Sequence, residues 1–376
     1  MKKIEMVDLK GQYKKIENEV NKSILNVIEN TSFINGPSVS KFKDNLKEYL
    51  GVKHVITCAN GTDALQICLM SLNLKPGDEV ITTDFTFAST VEVIKLLGLT
   101  PVLVDVNPEN FNIDMYKIRK SITKKTKVII PVHLFGQSVD MDELLLISEK
   151  FGLKIIEDNA QAMGASYNFK NGEQKKTGTI GDISATSFFP SKNLGGYGDG
   201  GAIFTNDDEL AIKISGISNH GMYKRYHHDI VGVNSRLDSI QAAILDVKLK
   251  LLDDYNNSRK KFAKIYTNLL SMNSKIVVPK FPENHLSHVF HQYTLRVNNK
   301  KRDDLVKYLN ENNIPCGIYY PIPLHSQKAY SSLRNDDKNF KVTNELCKEV
   351  ISLPMHTELD FDQIKFISNK VLEFIN

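Results

Sequence analysis

The stretch KVIIPVHLFGQSVDMDELLLISEKFGLKIIED, residues 127–158, decides the fold. Residues 127–132 form a short β-rich run, residues 141–151 carry a helical pattern, and residues 153–157 are a second β-rich run. The same rhythm extends towards the N-terminus. Further β-rich runs lie at 54–57, 79–83 and 101–106, with helical stretches at 63–72 and 88–97. Such a βαβα alternation predicts an α/β fold with a mostly parallel sheet covered by helices. Ligands of such sheets bind outside the carboxyl ends of the strands, so functional residues should gather where these runs end.

Beyond Thr179 the alternation weakens. Residues 182–188 and 202–205 read as neighbouring strands around a glycine-rich loop. One long helical pattern runs from Arg236 to about Leu270. It is expected to link a large domain, residues 1–250, to a small C-terminal α+β domain, residues 251–376. The small domain should hold a strand at 288–297, a helix at 303–312, a strand at 316–320 and closing helices, with 331–339 as an exposed polar loop. The N-terminal segment is amphipathic, with Ile16, Val20, Ile24 and Val27 at helical spacing and a break at Asn35-Gly36-Pro37.

Bulk properties narrow the function class. With 41% hydrophobic and 24% charged residues, the 376-residue chain can bury a sizeable core. The net charge of +4 is mild and the charges are interspersed, which argues against nucleic-acid binding. Four cysteines without a C-x-x-C pair indicate neither a zinc nor a redox motif and fit a reducing cytosol. The N-terminus lacks the apolar core of a signal peptide, and no apolar stretch approaches the ~20 residues needed to cross a bilayer. A cytoplasmic protein is expected.

Three segments carry chemistry. Asn60-Gly61-Thr62-Asp63 lies between a strand and a helix. Gly61 allows close backbone approach, Thr62 suits an N-cap, and a helix N-terminus binds phosphate, although ordinary strand-to-helix turns look the same. Ile155-Ile156-Glu157-Asp158-Asn159-Ala160-Gln161 ends a strand with acids. A buried carboxylate needs a partner, and a pyridinium nitrogen is one; a solvated strand end is the alternative. The most specific segment is Ser187-Phe188-Phe189-Pro190-Ser191-Lys192-Asn193-Leu194-Gly195-Gly196-Tyr197-Gly198-Asp199-Gly200-Gly201. Desolvation lowers a lysine's pKa and frees its amine to attack a carbonyl, and the glycines let the backbone pass close to a bulky ligand.

Two patterns point elsewhere. Gly196, Gly198 and Gly201 spell G-x-G-x-x-G, the mark of a dinucleotide site in a nicotinamide-dependent oxidoreductase. That motif must open a helix after a first strand, and here it precedes a β-like run. His285, His288 and His291 recur at spacing three, but a strand would scatter them across both faces, so structural or substrate-contact roles are expected rather than a metal site.

Together the three segments resemble the DegT/DnrJ/EryC1/StrS family of nucleotide-sugar aminotransferases. The resemblance runs from Val7-Asp8-Leu9 through Asn35-Gly36-Pro37 to Tyr319-Tyr320-Pro321-Ile322-Pro323-Leu324-His325. It implies a type I, aspartate-aminotransferase-like fold, a pyridoxal 5'-phosphate cofactor and a homodimer with shared active sites. It further implies that Lys192 binds the cofactor and shuttles protons, that Asp158 partners the pyridinium nitrogen, and that Gln161 contacts the phenolic oxygen. Phe87 would stack on the ring. Gly61, Thr62 and Ser187 would bind the phosphate, joined by Asn234 from the other subunit. Tyr319 and His325 would lie near the sugar nucleotide.

The implied reaction is ping-pong transamination with L-glutamate as donor and a keto sugar as acceptor. Family dehydratases carry histidine in place of the lysine, and this chain keeps Lys192. The loop Gly198-Asp199-Gly200-Gly201 resembles members that aminate C-3. Phe188-Phe189-Pro190-Ser191-Lys192 and Arg225-Tyr226-His227-His228 resemble enzymes acting on UDP-2-acetamido-2-deoxy-3-oxo-glucuronate, although Asn193 stands where those enzymes have proline. Arg225, His227 and Arg236 are candidates for the substrate, the two arginines for a uronate carboxylate. The alternative acceptor is a dTDP-3-oxo-6-deoxyhexose. A non-catalytic regulator is a more distant reading. Bacterial surface polysaccharide synthesis is the setting the family implies.

Overall fold

The computed structural model describes residues 2–281, 287–297, 301–333 and 337–376. Helix α1 (Leu9–Glu29) is capped by Asp8, which accepts from Gly11 N at 2.7 Å, and it buries Ile16, Val20 and Val27. Helix α2 (Pro37–Leu50) opens with proline at its first position, where a missing N–H costs nothing. It stops at Gly51, whose φ of 68° is left-handed.

The alternating region follows: β1 (His54–Cys58), α3 (Gly61–Ser71), β2 (Glu79–Thr83), α4 (Ser89–Leu96), β3 (Thr100–Val104), α5 (Met115–Ser121), β4 (Thr126–Ile130), α6 (Met141–Phe151) and β5 (Lys154–Asp158). A small hairpin, β6 (Ser166–Asn168) and β7 (Gln174–Lys176), precedes β8 (Ile183–Ser187) and β9 (Gly201–Thr205). Seven of these strands form one sheet in the order β1-β9-β8-β5-β4-β2-β3. Pairs from β8 through β3 are parallel, and β9 runs antiparallel to both its neighbours.

Side-chain alternation covers both faces. Val80, Val128, Ile130 and Ile156 pack with Ala64, Leu65 and Cys68 of α3. Ile81, Ile129 and Ile155 point the other way, onto Ile118 of α5 and Met141, Leu144 and Ile147 of α6. A strand buried on both faces reads as a continuous apolar run, which explains the texture of residues 127–132.

After α7 (Asp208–Ser218) comes an exposed hairpin, β10 (Met222–Lys224) and β11 (His227–His228). The helical pattern from Arg236 is two helices, α8 (Ser239–Leu249) and α9 (Leu252–Leu270), separated at Leu251, which has φ −106° and ψ 0°. No glycine or proline marks the break. The two helices serve different cores: α8 packs on α1 and α2, and α9 on the last helix, α12. The remaining elements are β12 (Ile276–Val277), β13 (Tyr293–Val297), α10 (Arg302–Glu311), α11 (Lys341–Glu349), β14 (Val350–Leu353) and α12 (Phe361–Ile375). Strands β12, β13 and β14 form an antiparallel sheet whose core includes Tyr266, Tyr293, Leu353 and Ile367, joined by Ile4 from the N-terminus.

Three readings of this region change. The expected strand at 288–297 begins only at Tyr293. That at 316–320 shrinks to Gly317, which exchanges two hydrogen bonds with Ser352; the chain then turns so that Ile318, Tyr319 and Tyr320 pack beside Phe85 and Leu346. The polar stretch at 331–339 includes parts of two 3-10 turns, Lys328–Leu333 and Asp337–Phe340. Among the described residues no helix is long and apolar enough to cross a membrane.

Candidate active site

The carboxyl ends of β2, β5 and β8 and the turn after β1 bring the chemical residues to one edge of the sheet. Strand β5 ends at Asp158, which is 5% exposed. Its Oδ2 accepts from Thr90 Oγ1 at 2.9 Å and its Oδ1 from Ala160 N at 3.2 Å. Burial raises its pKa; these two bonds and the charge of Lys192 oppose the rise. Lys192 lies just past β8, its N–H bonded to the Phe189 carbonyl at 2.8 Å. Desolvation pushes its amine down to about 8 against the attraction of Asp158. An amine so placed is partly neutral near physiological pH, as a nucleophile and proton carrier must be.

The turn after β1 faces the end of β8. A Cβ added to Gly61 would lie 2.7 Å from the Cβ of Ser187, so only glycine allows this approach. Thr62 is not the N-cap of α3. Asn60 is: its side chain accepts from Asp63 N at 2.8 Å and it takes the extended backbone of a cap. The N–H groups of Gly61 and Thr62 therefore fall in the first turn, where helices have no acceptor of their own. Ser235 braces this turn by accepting from Ala59 N at 3.0 Å and donating to Asp63 at 2.6 Å.

Gln161 is held on both sides of its amide. Its Oε1 accepts from Phe135 N at 2.7 Å, and its Nε2 donates to Tyr320 Oη at 3.1 Å. The ring of Phe87, three residues before Thr90, is 58% exposed. Tyr319 is half-buried beside Tyr320. His325 is tied down at both ring nitrogens, Nδ1 to Asp84 at 2.6 Å and Nε2 to Asp337 at 2.9 Å. It thus straps the 319–325 segment to the end of β2.

Four predicted residues lie elsewhere within the chain. Arg225 and His227 are in the exposed β10–β11 hairpin, Arg225 stacked over Tyr226. Asn234 is exposed and accepts from Arg236 Nε at 2.8 Å. The residue between them, Ser235, is the one that touches the α3 turn. Of the three histidines at spacing three, His288 and His291 are buried and precede β13, and His285 lies outside the described residues. Among the described residues no three histidines, cysteines or acids stand together as metal ligands. The glycine pattern 196–201 forms a loop that leads into β9, not into a helix.

Thr90, Ser235 and Tyr320 escaped the sequence reading. Tyr320 lay within a segment already singled out, Tyr319–His325, Thr90 lay three residues past Phe87, and Ser235 sat between two candidates, but none has a signature apart from its partner.

A buried acid at a strand end, a desolvated lysine beside it, and a helix turn that only glycine permits fit pyridoxal phosphate: acid to ring nitrogen, lysine to aldehyde, helix N–H groups to phosphate. The pattern of the DegT/DnrJ/EryC1/StrS aminotransferase family matches residues 14–372. The chain belongs to that family. It is a pyridoxal-phosphate-dependent transaminase with a type I fold, and family members act on sugars. The family likeness spans nearly the whole chain. A "UDP-2-acetamido-2-deoxy-3-oxo-D-glucuronate aminotransferase" of Pseudomonas aeruginosa is 44% identical over 97% of this chain and 98% of its own. A "Pleiotropic regulatory protein" of Geobacillus stearothermophilus is also 44% identical, over 99% of this chain and 98% of its own. Among solved structures, DesV of S. venezuelae, in complex with a ketimine intermediate, superposes with a TM-score of 0.95 at 33% identity, covering 100% of this chain and 99% of that one.

Proposed function

We propose that the chain transfers the amino group of L-glutamate to C-3 of a 3-keto nucleotide-linked sugar, UDP-2-acetamido-2-deoxy-3-oxo-glucuronate, in the cytoplasmic stages of surface polysaccharide synthesis. The observation that carries the chemistry is Lys192 held desolvated next to Asp158. The likeness to the Pseudomonas enzyme and the loop Gly198-Asp199-Gly200-Gly201 support the acceptor.

Pyridoxal phosphate supplies an electron sink and carries the amino group from donor to acceptor. Asp158 would partner the ring nitrogen, and the hydrogen bond from Thr90 opposes the rise that burial imposes on its carboxyl. Lys192 would hold the cofactor at its aldehyde and would carry the proton to and from the reacting carbon in both half-reactions. Gly61, Thr62 and Ser187 would bind the phosphate, Phe87 would stack on the ring, and Gln161 would meet the phenolic oxygen. Tyr319 and His325 border the sugar nucleotide.

The exposed placing of Asn234, Arg225 and His227 supports a homodimer in which each protomer lends these residues to its neighbour's site, with Arg225 or Arg236 reaching the uronate carboxylate. The separate packing of α8 and α9 supports a division into residues 1–250 and 251–376.

The test is turnover of a panel of 3-keto and 4-keto nucleotide sugars with glutamate. The UDP-3-keto uronate should be converted fastest, and Lys192→Ala should lose both turnover and the yellow cofactor band. Conversion of 4-keto sugars alone refutes C-3 amination. A preference for a dTDP-3-oxo-6-deoxyhexose refutes the uronate.

A further inference from the structure

Asn193 follows Lys192 directly, is 4% exposed, and has a fully engaged amide. Its Nδ2 donates to Asn256 Oδ1 at 2.7 Å and to the Val289 carbonyl at 3.3 Å. Its Oδ1 stands 3.1 Å from His291 Nδ1. Asn256, on α9, donates from its Nδ2 to the Met163 carbonyl at 3.1 Å. Carbonyls only accept, so Met163 and Val289 fix the direction of every bond in the chain. Asn256 Oδ1 and Asn193 Oδ1 both accept, and His291 Nδ1 must carry the hydrogen. Burial, then the charges of Lys192 and Arg259, keep the His291 ring neutral.

Two glycines let these groups meet. At Gly164, with φ +86°, a Cβ would fall 2.4 Å from Asn256 Nδ2. At Gly136, with φ +98°, a Cβ would fall 2.9 Å from His291 N. The network therefore joins the lysine loop, α9 and the 288–291 segment without intervening side chains.

We propose that Asn193, Asn256 and His291 are positioning residues that lock the backbone of Lys192 against α9 and the 288–291 segment and so set where its amine sits. The inference rests on the reading of Lys192 as the cofactor lysine. Asp158 of β5 acts on the amine by its charge, the amine acts in turn on His291, and Arg259 of α9 acts on His291 too, donating to its carbonyl at 3.2 Å. A neutral His291 adds no like charge beside the lysine. A lost hydrogen bond in this buried cluster would admit water to the loop and return the amine towards its ordinary basicity.

The experiment acylates Lys192 in the apoenzyme with a water-soluble N-hydroxysuccinimide ester across a pH series and follows the modified peptide by mass spectrometry. The parent midpoint is expected at about 8. Asn193→Leu and His291→Leu should each raise it by about one unit. His291→Asn keeps a donor at the Nδ1 position and should stay within about 0.3 unit of the parent. An unchanged midpoint in both leucine variants overturns the proposal. So does an equal shift in His291→Leu and His291→Asn, because bulk rather than the hydrogen bond would then set the amine. If Asn193→Leu fails to fold, the two His291 variants decide. Borohydride trapping of the holoenzyme on a different lysine would refute the cofactor assignment and leave the labelling result standing.

Discussion

The hydroxyl of Thr90, in the first turn of α4, donates to Asp158 Oδ2 at 2.9 Å and thereby ties a helix to the acid at the end of β5. The bond opposes the rise that burial imposes on the carboxyl pKa. Thr90→Val keeps the shape and removes the donor. Bonds to charged groups contribute about 1.5–3 kcal/mol, so kcat should fall at least about tenfold, and the spectral pKa of the cofactor ring should drop as its anionic partner weakens. Steady-state kinetics and a spectral pH titration check this; an unaltered kcat sinks it.

Gly61→Ala places a methyl group where Ser187 already stands. Relieving that overlap means moving the α3 turn away from β8, at a cost of about 1–3 kcal/mol. Affinity for pyridoxal phosphate should weaken about tenfold or more while the far-ultraviolet circular dichroism stays the same. Titration of the apoprotein with cofactor measures it, and undiminished affinity would refute a phosphate role for this turn.

His325 gives a pH-dependent contribution of defined sign. Burial opposes its charge, but hydrogen bonds to Asp337 and Asp84 raise its pKa above the usual 6.5. A raised pKa contributes stability that is complete below the unfolded value and is lost as pH climbs through the folded one. Burial also raises the Asp84 carboxyl, so its protonation closes the window from the acid side. Urea unfolding of parent and His325→Gln should differ most near pH 6 and converge by pH 9. A gap that widens towards pH 9 contradicts the assignment.

Lys248 behaves in the opposite sense. It is fully buried, donates to the Gly195 carbonyl, and is pushed down to about 8 by burial and then by Arg259. Between pH 8 and 10.5 the unfolded chain holds a proton that the folded chain has released, so the parent gains stability as pH rises through that window. Lys248→Met removes the gain. The variant's stability relative to the parent should therefore decline from pH 8 to pH 10, as read by thermal unfolding of both apoproteins. A relative stability that improves over the same range disproves it.

What the sequence revealed follows a physical line. The parallel sheet was legible because strands buried on both faces are apolar runs, as at Val128-Ile129-Ile130. The gathering of Lys192, Asp158, Gly61 and Ser187 at strand ends was legible because each sits in a distinctive local pattern. Pairs such as Thr90 with Asp158, Ser235 with Asp63 and Asn193 with His291 were not, since they join residues far apart whose types are ordinary alone. The α8–α9 break lacked a glycine or proline, and β14 follows α11 without a breaker between Glu349 and Val350. In both places tertiary packing, not local propensity, ends the helix.

Gly201 carries a consequence for how the protein is made. It pairs with Cys58 on one side and Ser187 on the other, and β1 joins the sheet through β9 alone. On the ribosome, β1 and its glycine turn emerge long before the strand that must hold them. A nascent chain released up to Asp158 already has the acid and one parallel neighbour of its strand, β4, but it lacks β8 with Ser187 and so half of the proposed phosphate site. That waits for residues 201–205 to pair between β8 and β1, so the proposed cofactor site can close only late in the folding of the chain.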